Sequence, residues 1–373
     1  MLQTILRQFR SAHSDIEFVV NQWFGPYSDR ARYGLLTMLP EARLGRSTLV
    51  TWLMSRTMRN TYGLVSPQDV SAVLDSSGFL YGDQWGIENV RAAADQYSIN
   101  QSRGIPTVLL PQSFGPFTGL EMRRQARRLF EAVPLAFARE QVSLNHIRDL
   151  GVTGDQIQLA PDFTGLVSGI LPSGFSLPEK FACIIPNIRM LDQSQPSQSR
   201  AYISFLKDAI QAVEQHQMTP CLLFHDVKND AIVAQELKTL MGRSIQVLSH
   251  TCPMVLKGIL GKSQMVIGSR FHALVGALSQ SVPVISTSWS HKYQELLQEY
   301  GMSEFLIQPG EAPGLLAARV AQLADPAEHA LLSAKLKQHA AIVRLQSEQT
   351  FQCVFSTLGV LPPGSQFMPA GSD

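Results

Sequence analysis

The chain has 373 residues, with 31 basic against 30 acidic side chains and a formal net charge of +1. That balance excludes a protein whose main work is coating nucleic acid, which needs a large basic excess on one face. The length implies two domains of about 150 residues each, and a hydrophobic share of 45% against 16% charged residues gives each a sizeable core.

Short apolar runs alternate with helix-length amphipathic segments along the whole chain. In the first half the runs at 17–20, 72–75, 107–110, 135–138 and 157–159 read as strands. The second half offers 181–186, 221–224, 245–248, 265–267, 282–286 and 305–307. Several are rich in Val, Ile and Leu without alternation, the pattern of strands buried on both faces. Helices fit between them at 120–132, with basic residues on its outer face, at 200–215 and at 229–241. The order is βαβα twice over, so an α/β protein with two doubly wound, Rossmann-like parallel-sheet domains is expected. The break falls in the turn-rich segment 161–178, which holds Pro161, Gly165, Gly169, Pro172, Gly174 and Pro178. This gives an N-terminal domain over 1–165, a C-terminal domain over 178–325, and a closing stretch over 326–373 that is helical to 358 and frayed from 361. Two such domains facing each other would bind ligand in a cleft between the carboxyl ends of their sheets.

Cys183, Cys221, Cys252 and Cys353 are too far apart for a metal knuckle or a redox pair. Their spacing fits a reducing compartment. The first ten residues mix Gln3, Arg7, Gln8 and Arg10 among apolar ones, unlike a signal peptide. No apolar run approaches the ~20 residues of a membrane span. A cytoplasmic protein is expected, at the inner face of the membrane if its substrate is membrane-borne. No metal site is expected, and the oligomeric state is not legible.

The stretch Gly268-Ser269-Arg270-Phe271-His272-Ala273-Leu274-Val275-Gly276-Ala277-Leu278 reads as a strand end, a tight turn and a helix start. A helix start presents unpaired N–H groups and partial positive charge. Arg270 adds a planar fork for carboxylate or phosphate, and His272 can carry a proton near neutral pH. Lys292 follows the next strand, in a loop with Ser288, Ser290 and His291. Cations at two successive strand ends point to a small anionic ligand; for each residue alone, a salt bridge or plain packing is the simpler reading.

In the first domain, Gln112 and Ser113 follow a strand and precede a Gly/Pro turn, and Arg139 ends another strand, where pairing with Glu140 or Asp162 is its simpler reading. The strand-to-loop passage Asp75-Ser76-Ser77-Gly78-Phe79-Leu80-Tyr81-Gly82-Asp83 could cradle phosphate, although it matches no nucleotide fingerprint. Asn187, Arg189, His225 and Asp226 end strands of the second domain and could line the cleft, or merely meet solvent.

Together these segments resemble the polysaccharide pyruvyl transferase family. The resemblance is carried by Pro111-Gln112-Ser113-Phe114-Gly115-Pro116, Ala138-Arg139-Glu140-Gln141-Val142-Ser143, Leu150-Gly151-Val152, Ala160-Pro161-Asp162, the spacing from His272 to Lys292, and above all Ser269-Arg270-Phe271-His272-Ala273. It implies a two-domain fold like that of GT-B glycosyltransferases, with the N-terminal domain on the acceptor side and the C-terminal domain on the donor side. It also implies phosphoenolpyruvate as a co-substrate, no other cofactor, and a glycan or lipid-linked saccharide acceptor that receives pyruvate as a cyclic ketal. Arg139, Arg270 and Lys292 become donor-binding candidates, and His272, with Arg270, the catalytic one. His272 would act either as general acid or to orient and deprotonate the attacking hydroxyl. The start of the chain departs from the family: Asn21-Gln22-Trp23-Phe24-Gly25-Pro26-Tyr27 stands where a Gly-rich turn is usual. The alternatives are a nucleotide-sugar glycosyltransferase of the same architecture and a non-catalytic glycan-pathway binding protein. Against the first, no two of Glu295, Glu299 and Glu304 are eight apart, and no Asp-x-Asp occurs. Intact Arg270, His272 and Lys292 argue against the second.

Overall fold

A computed structural model of the protein describes residues 1–39, 55–312 and 314–360. The stretch 361–373, expected to fray, lies outside the described residues. The chain divides into two compact units. The first holds residues 1–139, 143–160 and those from 349 onward; the second holds 140–142 and 161–348.

The first unit opens with α1 (Leu2–Ala12), which buries Ile5, Leu6 and Phe9 on one stripe. Phe9 meets Phe18, Phe351 and Phe355 edge-on. A small parallel sheet follows, ordered β1-β2-β3 and built from β1 (Phe18–Asn21), α2 (Tyr27–Arg32), β2 (Leu35–Met38), α3 (Arg56–Thr61) and β3 (Leu64–Val65). The last two strands had no counterpart in the sequence reading. They are short and mostly half-buried, which leaves too few residues for a period to show.

A second parallel sheet is ordered β4-β5-β6-β7, from β4 (Val73–Asp75), α4 (Ile87–Ser102), β5 (Thr107–Gln112), α5 (Leu120–Glu131), β6 (Leu135–Ala138), α6 (Gln141–Arg148) and β7 (Ile157–Leu159). Strand β5 runs two residues beyond the expected end at 110. Pro111 has no N–H to give the ladder, and the register slips between Leu109 and Gln112 instead of ending there. That slip brings Gln112 to the carboxyl edge of the sheet. Helix α5 turns Met122, Ala126, Leu129 and Phe130 inward, while Arg124, Arg127 and Arg128 pair outside with Glu121, Glu131 and Asp95.

The second unit is one five-stranded sheet with helices between its strands. Its elements are β8 (Phe181–Ile185), α7 (Arg189–Asp192), α8 (Pro196–Gln215), β9 (Thr219–Phe224), α9 (Val227–Met241), β10 (Gln246–Ser249), α10 (Pro253–Leu260), β11 (Met265–Gly268), α11 (Phe271–Leu278), β12 (Val284–Ser286), α12 (Lys292–Glu299), α13 (Leu315–Ala324) and α14 (Pro326–Leu358) up to Glu348, its last turns belonging to the first unit. All pairings are parallel, in the order β10-β9-β8-β11-β12. Strands β8, β11 and β12 are buried at every position, which is why their sequences do not alternate. Helix α9 starts where the Asp226 carboxylate accepts from the Asn229 N–H, and ends at Gly242 in the left-handed region.

The segment 305–307, expected to be a strand, is not one. Ser303–Phe305 is a 3-10 turn, and only Leu306 bridges to Ser286. Pro309 and Gly310 close the run before a ladder can extend. The Pro/Gly-rich stretch 161–178 is docked onto the second unit. Asp162 caps a 3-10 turn over Phe163–Leu166, the Gly169 N–H donates to the Gln280 side chain at 3.2 Å, and the Ile170 N–H donates to the Met254 carbonyl at 3.0 Å. A Cβ on Gly169 would lie 2.1 Å from the Gly258 nitrogen, so two backbones touch here as only glycine allows.

Candidate active site

In the second unit the strand order reverses between β8 and β11, and open α/β sheets bind ligands outside the strand ends at such a point. Residues from both strand ends lace this edge together. The Asn187 amide donates to the Ser269 carbonyl at 2.6 Å, and Arg270 Nε donates to the Pro186 carbonyl at 3.1 Å. Gly268 is required as glycine, because a Cβ there would sit 2.8 Å from that of Ile185.

Arg270 is the N-cap residue of α11, and its Nη2 pairs with Asp230, which is fully buried on α9. The other oxygen of Asp230 accepts the N–H groups of His225 and Asp226, each at 2.9 Å. One carboxylate thus fixes the arginine fork and the turn after β9 together. Burial is the main reason His225 has its pKa lowered to about 4; the charge of Arg270 adds to this and that of His272 contributes further. Its Nδ1 is buried and has no hydrogen-bond partner among the described residues.

His272, one residue into α11, leaves 49% of its side chain exposed and places Nε2 3.6 Å from the buried Asp162 carboxylate. Asp162 is itself held, because one oxygen accepts from the Thr164 N–H at 2.8 Å and from the Thr164 hydroxyl. The Lys257 ammonium donates to the Thr164 carbonyl at 2.9 Å. Burial lowers the Lys257 pKa to about 8, with the charge of Asp162 opposing the shift.

Lys292 begins α12 and is buried. Its ammonium lies 4.4 Å from the Trp289 ring centroid, 5.5 Å from that of Tyr293 and 5.8 Å from that of Phe271. These faces offset part of the cost of burying a cation. Tyr293 is anchored by its hydroxyl donating to the Ser269 carbonyl at 2.6 Å, and His291 Nε2 is 3.5 Å from Glu140. Arg270, His272, His225 and Lys292 are therefore brought to one edge of the five-stranded sheet of the second unit. Asn187 and Ser288 are taken up locally, Asn187 by Ser269 and Ser288 by Gln308 at 2.7 Å. Arg189 pairs with Asp192 at 2.7 Å on an exposed turn.

In the first unit Arg139 is buried and donates to the Ser113 hydroxyl at 2.6 Å. Gln112 donates to Asp75 at 3.4 Å and keeps its own carbonyl oxygen buried without a partner among the described residues. Asp75 also accepts from the hydroxyls of Tyr81 and Tyr97. Burial, then the Asp75 charge, pushes both phenols far up. The atypical Asn21-Gln22-Trp23 segment lines a pocket of about 460 Å³ with Tyr97, Asn100 and Arg103. Sequence reasoning passed over Asp162, Asp230, Lys257 and the Asp75–tyrosine cluster as site residues. Asp162 and Asp75 stood inside quoted motifs, whereas a single buried acid in a helix, such as Asp230, carries no sequence signal.

Parallel sheets with interleaved helices, and strand ends at an order reversal where such sheets bind ligands, define an α/β fold of the GT-B-like class. Three of the solved structures with this fold illustrate it. The Anabaena protein HepE, solved with UDP and glucose, is 14% identical, with a TM-score of 0.58 over 96% of this chain and 95% of that one. Staphylococcus aureus MnaA, solved with UDP, is 11% identical, with a TM-score of 0.56 over 96% and 94%. The UDP-GlcNAc 2-epimerase of Neisseria meningitidis, bound to UDP-GlcNAc, is 10% identical, with a TM-score of 0.55 over 95% and 94%. Residues 2–291 match the polysaccharide pyruvyl transferase family, and the chain belongs to it. Membership makes it a glycan-pathway transferase. Among the described residues no helix is long and apolar enough to cross a membrane.

Proposed function

We propose that the protein transfers pyruvate from phosphoenolpyruvate to two hydroxyls of a sugar, on a glycan or its lipid-linked precursor, as a cyclic ketal. The observation that carries this reading is the edge of the five-stranded sheet, where Arg270, Lys292 and a half-exposed His272 stand together inside or beside the stretch that matches the family. The donor is small and carries a phosphate and a carboxylate. Arg270 offers a fork held rigid by Asp230, and Lys292 a charge fixed among three rings, so little ordering remains when an anion binds.

The chemistry needs only proton transfers and fixed charge. A proton adds to the methylene carbon, and the central carbon gains oxocarbenium character. One sugar hydroxyl forms a C–O bond there and loses its proton. The bond from that carbon to the phosphate oxygen breaks, and inorganic phosphate takes the electron pair. The second hydroxyl then closes the ring and gives up its proton. His272 carries protons at this centre, and His225, kept neutral by its surroundings, offers an uncharged ring nearby.

Incubation with phosphoenolpyruvate and a set of glycan and lipid-linked acceptors tests the reading. Phosphate release with an acceptor mass gain of pyruvate less water is expected. Release of a nucleotide from a nucleotide sugar, with no reaction of phosphoenolpyruvate, would replace it with the second reading, which the UDP-bound fold neighbours favour. For His272→Gln, turnover is expected to fall by about 10²–10⁴-fold, the usual worth of acid–base help, with the far-ultraviolet circular dichroism spectrum unchanged.

A further inference from the structure

We infer that Asp162 is the positioning residue of His272, fixing which nitrogen of that imidazole holds the proton and raising its affinity for a second one. This rests on the reading of His272 as the proton carrier. Asp162 lies in the segment 161–178, which the sequence marks as a linker, yet this segment is pinned to α10 by the Gly169–Gly258 backbone contact and the Ile170–Met254 hydrogen bond. The pinning sets Asp162 against the first turn of α11, with one oxygen 3.6 Å from His272 Nε2. The other oxygen is engaged by the backbone and hydroxyl of Thr164, so the carboxylate cannot swing freely. A buried carboxylate facing Nε2 keeps a proton on that nitrogen and makes Nδ1 the atom that exchanges protons with a ligand. The gap is longer than a hydrogen bond, and such contacts commonly tighten once substrate closes the site.

Other charged or titratable groups face this pair. Arg270 and His225 lie on the sheet side, and Lys257 approaches from α10. Lys292 reaches Phe271 from α12, and Tyr300 at the end of that helix is a buried neutral phenol that senses the Asp162 charge. The nearby cations disfavour a protonated His272, and Asp162 is the acid that opposes them. With it, the imidazolium persists toward neutral pH, which suits the acid that protonates the methylene carbon. Without it, the ring loses its second proton at lower pH.

The test uses the full chain and Asp162→Asn, which keeps an oxygen for the Thr164 N–H but removes the charge. The His272 ring is titrated by NMR on histidine-labelled protein, its signal assigned by its loss in His272→Gln. The expected result is a His272 pKa lower by about one unit in Asp162→Asn, a tenfold change in proton affinity, with a melting temperature close to that of wild type. An unchanged His272 pKa overturns the inference, whatever the enzyme transfers. With turnover, Asp162→Asn is expected to lower kcat by about 10²-fold, leave the KM for phosphoenolpyruvate within about threefold, and move the high-pH fall of kcat to lower pH, with Asp162→Glu recovering part of the rate. A loss of rate with an unmoved pH profile would also overturn it. Failure of wild type to use phosphoenolpyruvate would remove the proposed reaction while leaving the NMR result decisive for the pair.

Discussion

At the scale of single residues, Asp230 and His225 govern how the second unit responds to mutation and to acid. Asp230 is fully buried and answers one guanidinium and two backbone N–H groups. Asp230→Ala would leave Arg270 unpaired and two donors unsatisfied, and removing one partner of such a pair costs about 3–5 kcal/mol. Arg270→Ala would strand the buried carboxylate at a similar cost. Both are expected to lower the thermal midpoint by several degrees, so loss of activity in Arg270→Ala mixes folding with donor binding. Arg270→Lys, which keeps the charge, separates the two: donor KM is expected to rise more than the midpoint falls. His225 gives a pH signature of known sign. Its folded pKa of about 4 lies below the value of 6.5 expected when unfolded. Between those values the unfolded chain binds more protons, so stability is full above pH 6.5 and is lost as pH falls toward 4, by at most about 1.4 kcal/mol per pH unit. In urea or thermal melts from pH 7 to pH 4, His225→Gln is expected to lose less stability than wild type. Parallel losses in the two proteins would show that the ring is not buried neutral.

At the scale of elements, the two-sided burial of β8, β11 and β12 was legible because each is, or opens with, a short unbroken apolar run: Phe181–Ile185, 265–267 and 284–285. The placement of Arg270, His272 and Lys292 just beyond strand ends was legible for the same reason, because each follows one of these runs. The extension of β5 through Pro111 was not, because proline predicts an end and only the observed register slip shows how the ladder absorbs it. Nor was the docking of 161–178, because glycine and proline mark turns without saying what the turn rests on. Gly258 makes that docking testable. Alanine in a helix is ordinarily better than glycine by about 1 kcal/mol, but here a Cβ would lie 2.2 Å from the Ile170 carbonyl oxygen. Backbone cannot yield as a side chain can, so Gly258→Ala is expected to destabilise by about 1–3 kcal/mol and to lower turnover by displacing Asp162 from His272. Gly276→Ala is the control, because its Cβ would meet side-chain atoms and no backbone, the Leu260 tip at 3.1 Å and Lys257 Cγ at 3.7 Å. Its melting midpoint should stay near that of wild type.

At the scale of the whole molecule, the proposed donor and the nucleotide-sugar alternative differ in how they should stabilise the fold, and stability can decide between them. The fold neighbours were solved with UDP and glucose, with UDP-GlcNAc and with UDP, but at 10–14% identity they share only the fold. The proposed donor rests instead on residues of this chain. The five-stranded sheet presents a compact cationic edge, with Lys292 closed in by three aromatic rings, and the helix that begins there lacks the pair of glutamates eight apart that many nucleotide-sugar enzymes use. With a net charge of +1 the chain supplies little long-range attraction for anions; on the proposed function, selectivity rests on this local edge, which added salt at 0.15 M screens beyond about 8 Å but not within it. A ligand at 100 times its Kd stabilises the folded state by about 2.7 kcal/mol. Phosphoenolpyruvate at such excess, at pH 7.5 where His225 is neutral, is expected to raise the melting temperature by several degrees at 0.15 M salt. Phosphate alone should give a smaller rise, and UDP and UDP-glucose no more than phosphate. Lys292→Met, which keeps the length of the side chain among the rings and removes its charge, is expected to abolish most of the phosphoenolpyruvate shift while melting near wild type without ligand. A larger shift with UDP than with phosphoenolpyruvate, surviving in Lys292→Met, would assign the scaffold to a nucleotide and the cationic edge to folding.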